Sequence, residues 1–81
     1  MEPLLDVVAV VPRRDHSLLL EFENGENRVF DMRTYLTQKP YLALRSIVLF
    51  MSVRIEHGTL VWPGELDIAP ETLYHRSLPL K

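Results

Sequence analysis

Short apolar runs succeed one another along this chain, some alternating with polar residues at a period of two, and Gly, Pro and Asn interrupt them at a few points. Residues 5 to 11, Leu-Asp-Val-Val-Ala-Val-Val, are largely β-branched and stop at Pro12. This composition predicts a strand. By simple alternation Leu5, Val7, Ala9 and Val11 share one face, while Val8 and Val10 lie beside Asp6 on the other. Apolar residues on both faces predict a strand covered on both sides. Arg13-Arg14-Asp15-His16 is the polar connection that follows.

Two further apolar runs, Ser17 to Glu23 and Glu26 to Asp31, flank Asn24-Gly25. Asn-Gly is suited to a two-residue type I′ turn, whose central residues both need positive φ. Counting outwards pairs Glu21 with Arg28, Leu20 with Val29 and Leu19 with Phe30. In that register Leu18, Leu20, Phe22 and Val29 line one face. Leu19 and Phe30 come together on the opposite one.

Asp31 is placed to cap a short helix from Met32 to about Thr37, in which Met32 and Leu36 are i, i+4 neighbours. Gln38-Lys39-Pro40 breaks it, and Tyr41 to Val48 fits either a second short helix or a turn. Met51 to Glu56 alternates again. A His57-Gly58 turn pairs Ile55 with Leu60, Arg54 with Val61 and Val53 with Trp62, so the apolar faces match across the hairpin. Pro63-Gly64 is expected to stop that strand. Asp67 suits an Asx-type turn ahead of a last helical stretch, which Pro70 opens, Glu71 favours by charge and Leu73-Tyr74 closes. Residues 75–81 read as a tail. The predicted order is β-β-β-α-(α)-β-β-α. It implies an α+β fold in one domain spanning residues 1–81. Two antiparallel hairpins and an N-terminal strand form one sheet of about five strands, with two or three short helices.

Composition narrows the functions. The 81 residues include no Cys, which excludes disulfides and thiolate metal sites. Hydrophobic residues make up 47% and the net charge is −2, so the chain is expected to be globular rather than disordered. Surface scaling predicts a folded surface of roughly 5,000 Å², with about 63% of the unfolded surface buried. A core that small gains from pairing with another chain. Leu4 to Val11 is interrupted by Asp6 and stopped by Pro12. Neither a signal peptide nor a membrane span is predicted, and a soluble cytoplasmic protein is expected.

The candidate chemistry is sparse. His16 and His57 fall in loops and His75 in the tail, with no metal-ligand spacing among them. They are expected to be solvated. Asp31, Glu65, Asp67 and Glu71 are the carboxylates to consider for acid–base work, but helix capping accounts for three of them. Gly25, Gly58 and Gly64 are isolated at turns, so no phosphate cradle is expected. Ser17, Ser46, Ser52 and Ser77 have no base beside them. No catalytic, metal-binding or cofactor-binding residue is therefore assigned. Arginines never run beyond Arg13-Arg14, which disfavours direct nucleic-acid binding. Trp62 is expected to pack with Val53, Ile55 and Leu60, and Tyr74 is expected to pack as well.

Phe22-Glu23-Asn24-Gly25-Glu26, Val29-Phe30-Asp31-Met32 with Tyr35-Leu36, and Val53 stand at the joints of this order and begin one set of motifs. Gly58-Thr59-Leu60-Val61-Trp62-Pro63 and Asp67-Ile68 with Pro70-Glu71 and Leu73-Tyr74 complete it. Together they resemble a family of small bacterial proteins known as domain of unknown function 2442, over nearly the whole chain. The resemblance implies structural roles for Asn24, Gly25, Asp31, Trp62, Pro63, Asp67, Pro70, Leu73 and Tyr74. It implies no agreed activity. Some members of that family carry a helix-turn-helix domain, which these 81 residues are not expected to hold, and some bear a molybdopterin-biosynthesis label. Three function classes follow. The first is a non-enzymatic protein–protein interaction module with an unidentified protein partner. The second is an accessory domain in nucleic-acid-linked regulation, and the third a pterin-pathway protein. A homodimer is expected, formed through an exposed edge strand or through the second apolar face with Leu19, Phe30, Val8 and Val10 as its interface.

Overall fold

In the computed structural model, which describes residues 5–80, the chain builds two small antiparallel sheets rather than one. The strands are β1 (Val7–Pro12), β2 (Ser17–Phe22), β3 (Asn27–Asp31), β4 (Arg54–Glu56), β5 (Thr59–Trp62), β6 (Leu66–Ile68) and β7 (Leu78–Pro79). Between β3 and β4 lie 3-10 helices at Met32–Tyr35 and Tyr41–Arg45 and the short helix α1 (Ile47–Phe50); α2 (Pro70–Arg76) precedes β7. The class is α+β, as expected. One sheet has the order β1-β2-β3-β7 and the other β4-β5-β6.

The single sheet of five strands is corrected at two short elements. Pro63-Gly64 does not end the second hairpin. Gly64 and Glu65 both take positive φ (91° and 64°), which reverses the chain and pairs Leu66 with Trp62. The resulting strand β6 absorbs Asp67, which pairs with Val61 instead of forming an Asx turn. Its carbonyl accepts a hydrogen bond from the Tyr41 hydroxyl at 3.0 Å. Of the expected tail, residues 75–80 are likewise not free, and Lys81 lies outside the described residues. α2 runs on to Arg76, and β7 then pairs Leu78 with Val29 and Pro79 with Arg28.

The register of β2 and β3 differs by one residue from the count made above. The loop holds three residues, Glu23, Asn24 and Gly25. The Phe22 N–H donates to the Glu26 carbonyl and the Gly25 N–H to the Phe22 carbonyl, both at 2.9 Å. Gly25 alone takes positive φ, at 88°, as in a type I turn followed by a glycine bulge. The Asn24 side chain accepts from the Glu26 N–H at 3.0 Å, which holds Asn24 in the turn. Leu18 thus pairs with Phe30, Leu19 with Val29 and Leu20 with Arg28. The ladder between β1 and β2 is also irregular. Val7 pairs with Phe22 and Ala9 with Glu21, so Val8 is an extra residue and the alternation inverts across it. Val7 and Val10 face the core, whereas Ala9 and Val11 face away, so the single-face assignment of Leu5, Val7, Ala9 and Val11 is corrected too.

The core is one cluster drawn from both sheets and the helices. Leu18, Leu20, Phe22 and Phe30 meet Leu60, Trp62 and Ile68, with Met32, Leu44, Phe50 and Leu73 filling between them. Trp62 is completely buried, and its Nε1 donates to the Phe50 carbonyl at 3.0 Å. Its only polar group is thereby satisfied. Asp31 caps the 3-10 helix by accepting from the Arg33 N–H at 3.0 Å, as expected, although the helix ends at Tyr35 rather than Thr37. Ser46 caps α1 in the same way through the Leu49 N–H. β4 starts at Arg54, and its pairing of Ile55 with Leu60 and Arg54 with Val61 matches the expected register. His57 and Gly58 have φ of 53° and 79°, the pair of positive values a type I′ turn needs. The Gly58 carbonyl accepts from the Val7 N–H at 2.9 Å and ties the second hairpin to β1. The accessible surface of 5343 Å² is close to the scaling value.

Candidate functional site

The four-stranded sheet uses only one face for the core. On the other, the pairings Val11–Leu19, Leu19–Val29 and Val29–Leu78 place four apolar side chains in one row across β1, β2, β3 and β7. Each pairing puts residues of neighbouring strands on the same face. Val11 is 53% exposed and Leu78 73%, while Leu19 and Val29 are half-buried by their sheet neighbours. Such a contiguous apolar row on a surface is the kind of feature that marks contact with another molecule.

Beside the row lies a shallow hollow of about 120 Å³, lined by Ala9, Val11, Leu19, Leu20, Glu21 and Asn27. Small-molecule sites typically enclose roughly 300–1,000 Å³, so this hollow fits one side chain rather than a metabolite. The polar residues of the face lie on its two flanks. Glu21 and Asn27 pair across β2 and β3 on one flank. On the other, Ser17 pairs with Asp31, and the Arg13 N–H donates to the Ser17 carbonyl at 2.9 Å. Asp31 is already held by Arg33 at 2.8 Å. Glu21 and Arg13 belong to none of the ion pairs found among the described residues.

Of the four residues expected at the interface, Leu19 and Val8 lie outside the core, with Val8 52% exposed. Phe30 and Val10 are corrected. Phe30 is 1% exposed and packs inward against Leu18, because the three-residue loop shifts β3 by one position. Val10 packs on the core because the Val8 bulge turns it inward. Val11, Val29 and Leu78 take their places. The signal for Val29 was the parity of the β2–β3 loop, and for Val11 the bulge. Leu78 carried no signal beyond being an apolar residue near the end of the chain.

A polar network occupies the inward edge of the same sheet. Arg28 sits opposite Leu20 on the core face and is covered by α2. Its guanidinium donates to the Ser77 hydroxyl at 2.7 Å, the Ser77 carbonyl at 2.9 Å and Glu26 at 3.0 Å. The guanidinium carbon also lies 4.5 Å from the centre of the Tyr74 ring. Tyr74 donates its hydroxyl to Glu26 at 2.7 Å and meets Phe22 edge-on. The Tyr74 hydroxyl, then Asn24 and Arg28, hold the Glu26 carboxyl below its ordinary range. The same bond raises the Tyr74 phenol. This network fastens α2 and β7 to the first hairpin. The Asn24 amide donates to Glu26 at 2.9 Å and so joins Tyr74 in this network. Leu73 is fully buried, Pro70 opens α2, and Pro63 begins the turn into β6.

The remaining candidates are dispersed. His57 and His75 are exposed, but His16 is not the solvated residue expected. It takes φ of 64°, its ring centre lies 4.9 Å from that of Phe50, and its Nε2 is buried without a partner. Glu65 occupies a positive-φ turn and Glu71 the first turn of α2. Among the described residues, no group of three His, Asp or Glu side chains is close enough to hold a metal ion, and no helix is long and apolar enough to cross a membrane.

Residues 7–79 match the family described as "Protein of unknown function (DUF2442)". No curated protein and no solved structure matches the chain.

Proposed function

We propose, from the premise that this chain belongs to the DUF2442 family, that it is a non-enzymatic protein–protein interaction module docking through the open face of its four-stranded sheet. The observation that carries this reading is the unbroken row Val11–Leu19–Val29–Leu78 on the side away from the core. Burying such a row removes apolar area from water at roughly 25 cal/mol per Å². The acids favour a structural reading, since Asp31 is a cap, Glu65 a turn residue, Asp67 a strand residue and Glu71 part of the first turn of α2, rather than members of a cluster. The side-chain-sized hollow favours a macromolecular partner over a pterin. Glu21 and Asp31 flank the row, which disfavours a phosphate backbone as the ligand. A photo-activatable amino acid at Val11 tests the reading in cells. A protein adduct from Val11, absent when the same probe replaces the exposed Thr37, is the expected result. Equal labelling from both positions, or none from Val11, would overturn it.

A further inference from the structure

We infer that the occupant of this face is a second copy of the same chain, with the two-fold axis lying between the sheets and parallel to the apolar row. This inference rests on the reading of the face as a docking surface. A two-fold interface must match its own surface. The row does so, because an axis along it sets Val11, Leu19, Val29 and Leu78 against their own counterparts. Sheets packed this way lie about 10 Å apart with strands aligned to within roughly 30°.

The flanks select the axis. Rotation about the row brings the Glu21 flank of one protomer over the Arg13 flank of the other. Arg13 follows Pro12 on β1, and alternation puts it on the outward face with Val11. The partner's Arg13 then reaches the hollow between β1 and β2. Its aliphatic stem lies over Ala9 and Val11, and its guanidinium meets the Glu21 carboxylate at the rim. Two charges that form no ion pair among the described residues thereby find each other, twice per dimer. An axis parallel to the strands sets Glu21 against Asn27 instead, and offers Arg13 only the partner's Asp31, which Arg33 already holds.

Strand spacing sets the strength. Strands of six, six, five and two residues offer on the order of 500 Å² per protomer once the flanks are included. That is about a tenth of the 5343 Å² surface. A total near 1,000 Å² belongs to weak, reversible complexes. The dimer is therefore expected to dissociate in the micromolar range.

Sedimentation equilibrium from about 1 to 500 µM spans the range expected for such an interface. The weight-average mass should rise from 9.4 kDa towards twice that value. A mass that stays at one chain throughout overturns the dimer. The Val11 photo-probe then separates the two readings: a Val11-specific adduct with a different protein leaves the docking face standing, and no adduct removes both. Leu19→Glu with Val29→Glu, or the milder Val11→Glu, should abolish the mass increase in variants whose Trp62 fluorescence remains that of a buried indole. A dimer that survives in such folded variants overturns this face in favour of an exposed edge. Glu21→Arg alone should weaken association about tenfold, and adding Arg13→Glu should restore it. Failure of the double variant to recover overturns the axis.

Discussion

At the scale of single residues, Trp62 and Gly25 show two distinct demands on side-chain identity. Trp62 is completely buried against Phe50, and its indole N–H is the partner of the Phe50 carbonyl. Trp62→Ala leaves a large cavity and removes that partner, so urea unfolding should show a loss of about 3–5 kcal/mol. A loss under about 1 kcal/mol would show a site able to collapse around the gap. Gly25 makes the opposite case. A Cβ there meets nothing within 4 Å, so space is not the constraint. Its φ of 88° is. Gly25→Val should cost about 2 kcal/mol or more, while Gly25→Asn should cost less, because Asn tolerates left-handed backbone better than a β-branched residue. Equal stability of the Val variant and the parent would mean that the loop refolds without its bulge.

At the scale of elements, α2 and β7 depend on a carboxylate. Glu26 receives hydrogen bonds from Tyr74, Asn24 and Arg28, and its carboxyl titrates below the ordinary glutamate range. A depressed pKa means that the folded state favours the charged form. Its contribution to stability is complete above the unfolded value of about 4.3 and is lost as pH falls below that towards the folded value. The parent should therefore lose stability on acidification in that window, and Glu26→Gln should flatten that part of the profile while lowering stability at pH 7. Denaturant midpoints measured from pH 7 to pH 3 check this; parallel profiles for parent and variant would assign the acid sensitivity elsewhere. This network was hidden in the sequence, because Glu26, Arg28, Tyr74 and Ser77 come together only through β7. The elements with strong local signals were legible: β1 to β5, the Asp31 cap, the His57-Gly58 hairpin with its register, and the Pro70 start of α2. Strands β6 and β7 have three and two residues, too few for a period to show. The open face was foreseen, but of the four residues in its row only Leu19 was. A one-residue difference in the loop at Asn24-Gly25 exchanges every side chain between faces, and the Val8 bulge does the same for β1.

At the scale of the whole molecule, the core is supplied from both sheets and a limited set of helical residues, and self-association would add to its stability by mass action. If the dimer forms as inferred, the midpoint of thermal unfolding should rise with protein concentration, and Val11→Glu should remove that dependence. A midpoint independent of concentration in the parent would agree with a monomer. The position of β7 has a further consequence, in time rather than in energy. β1 to β3 connect through short loops and can pair early, but the outer edge of β3 is completed by residues that arrive much later. Arg28 and Ser77 are 49 positions apart. At synthesis rates of roughly 5–20 residues per second, that interval corresponds to about 2 to 10 s. During it the nascent meander presents both an unpaired β3 edge and the Leu18, Leu20, Phe22 and Phe30 face that Trp62 and Leu73 will later cover. The growing chain is thus most open to chaperones, and to its neighbours on the same message, before β7 is made.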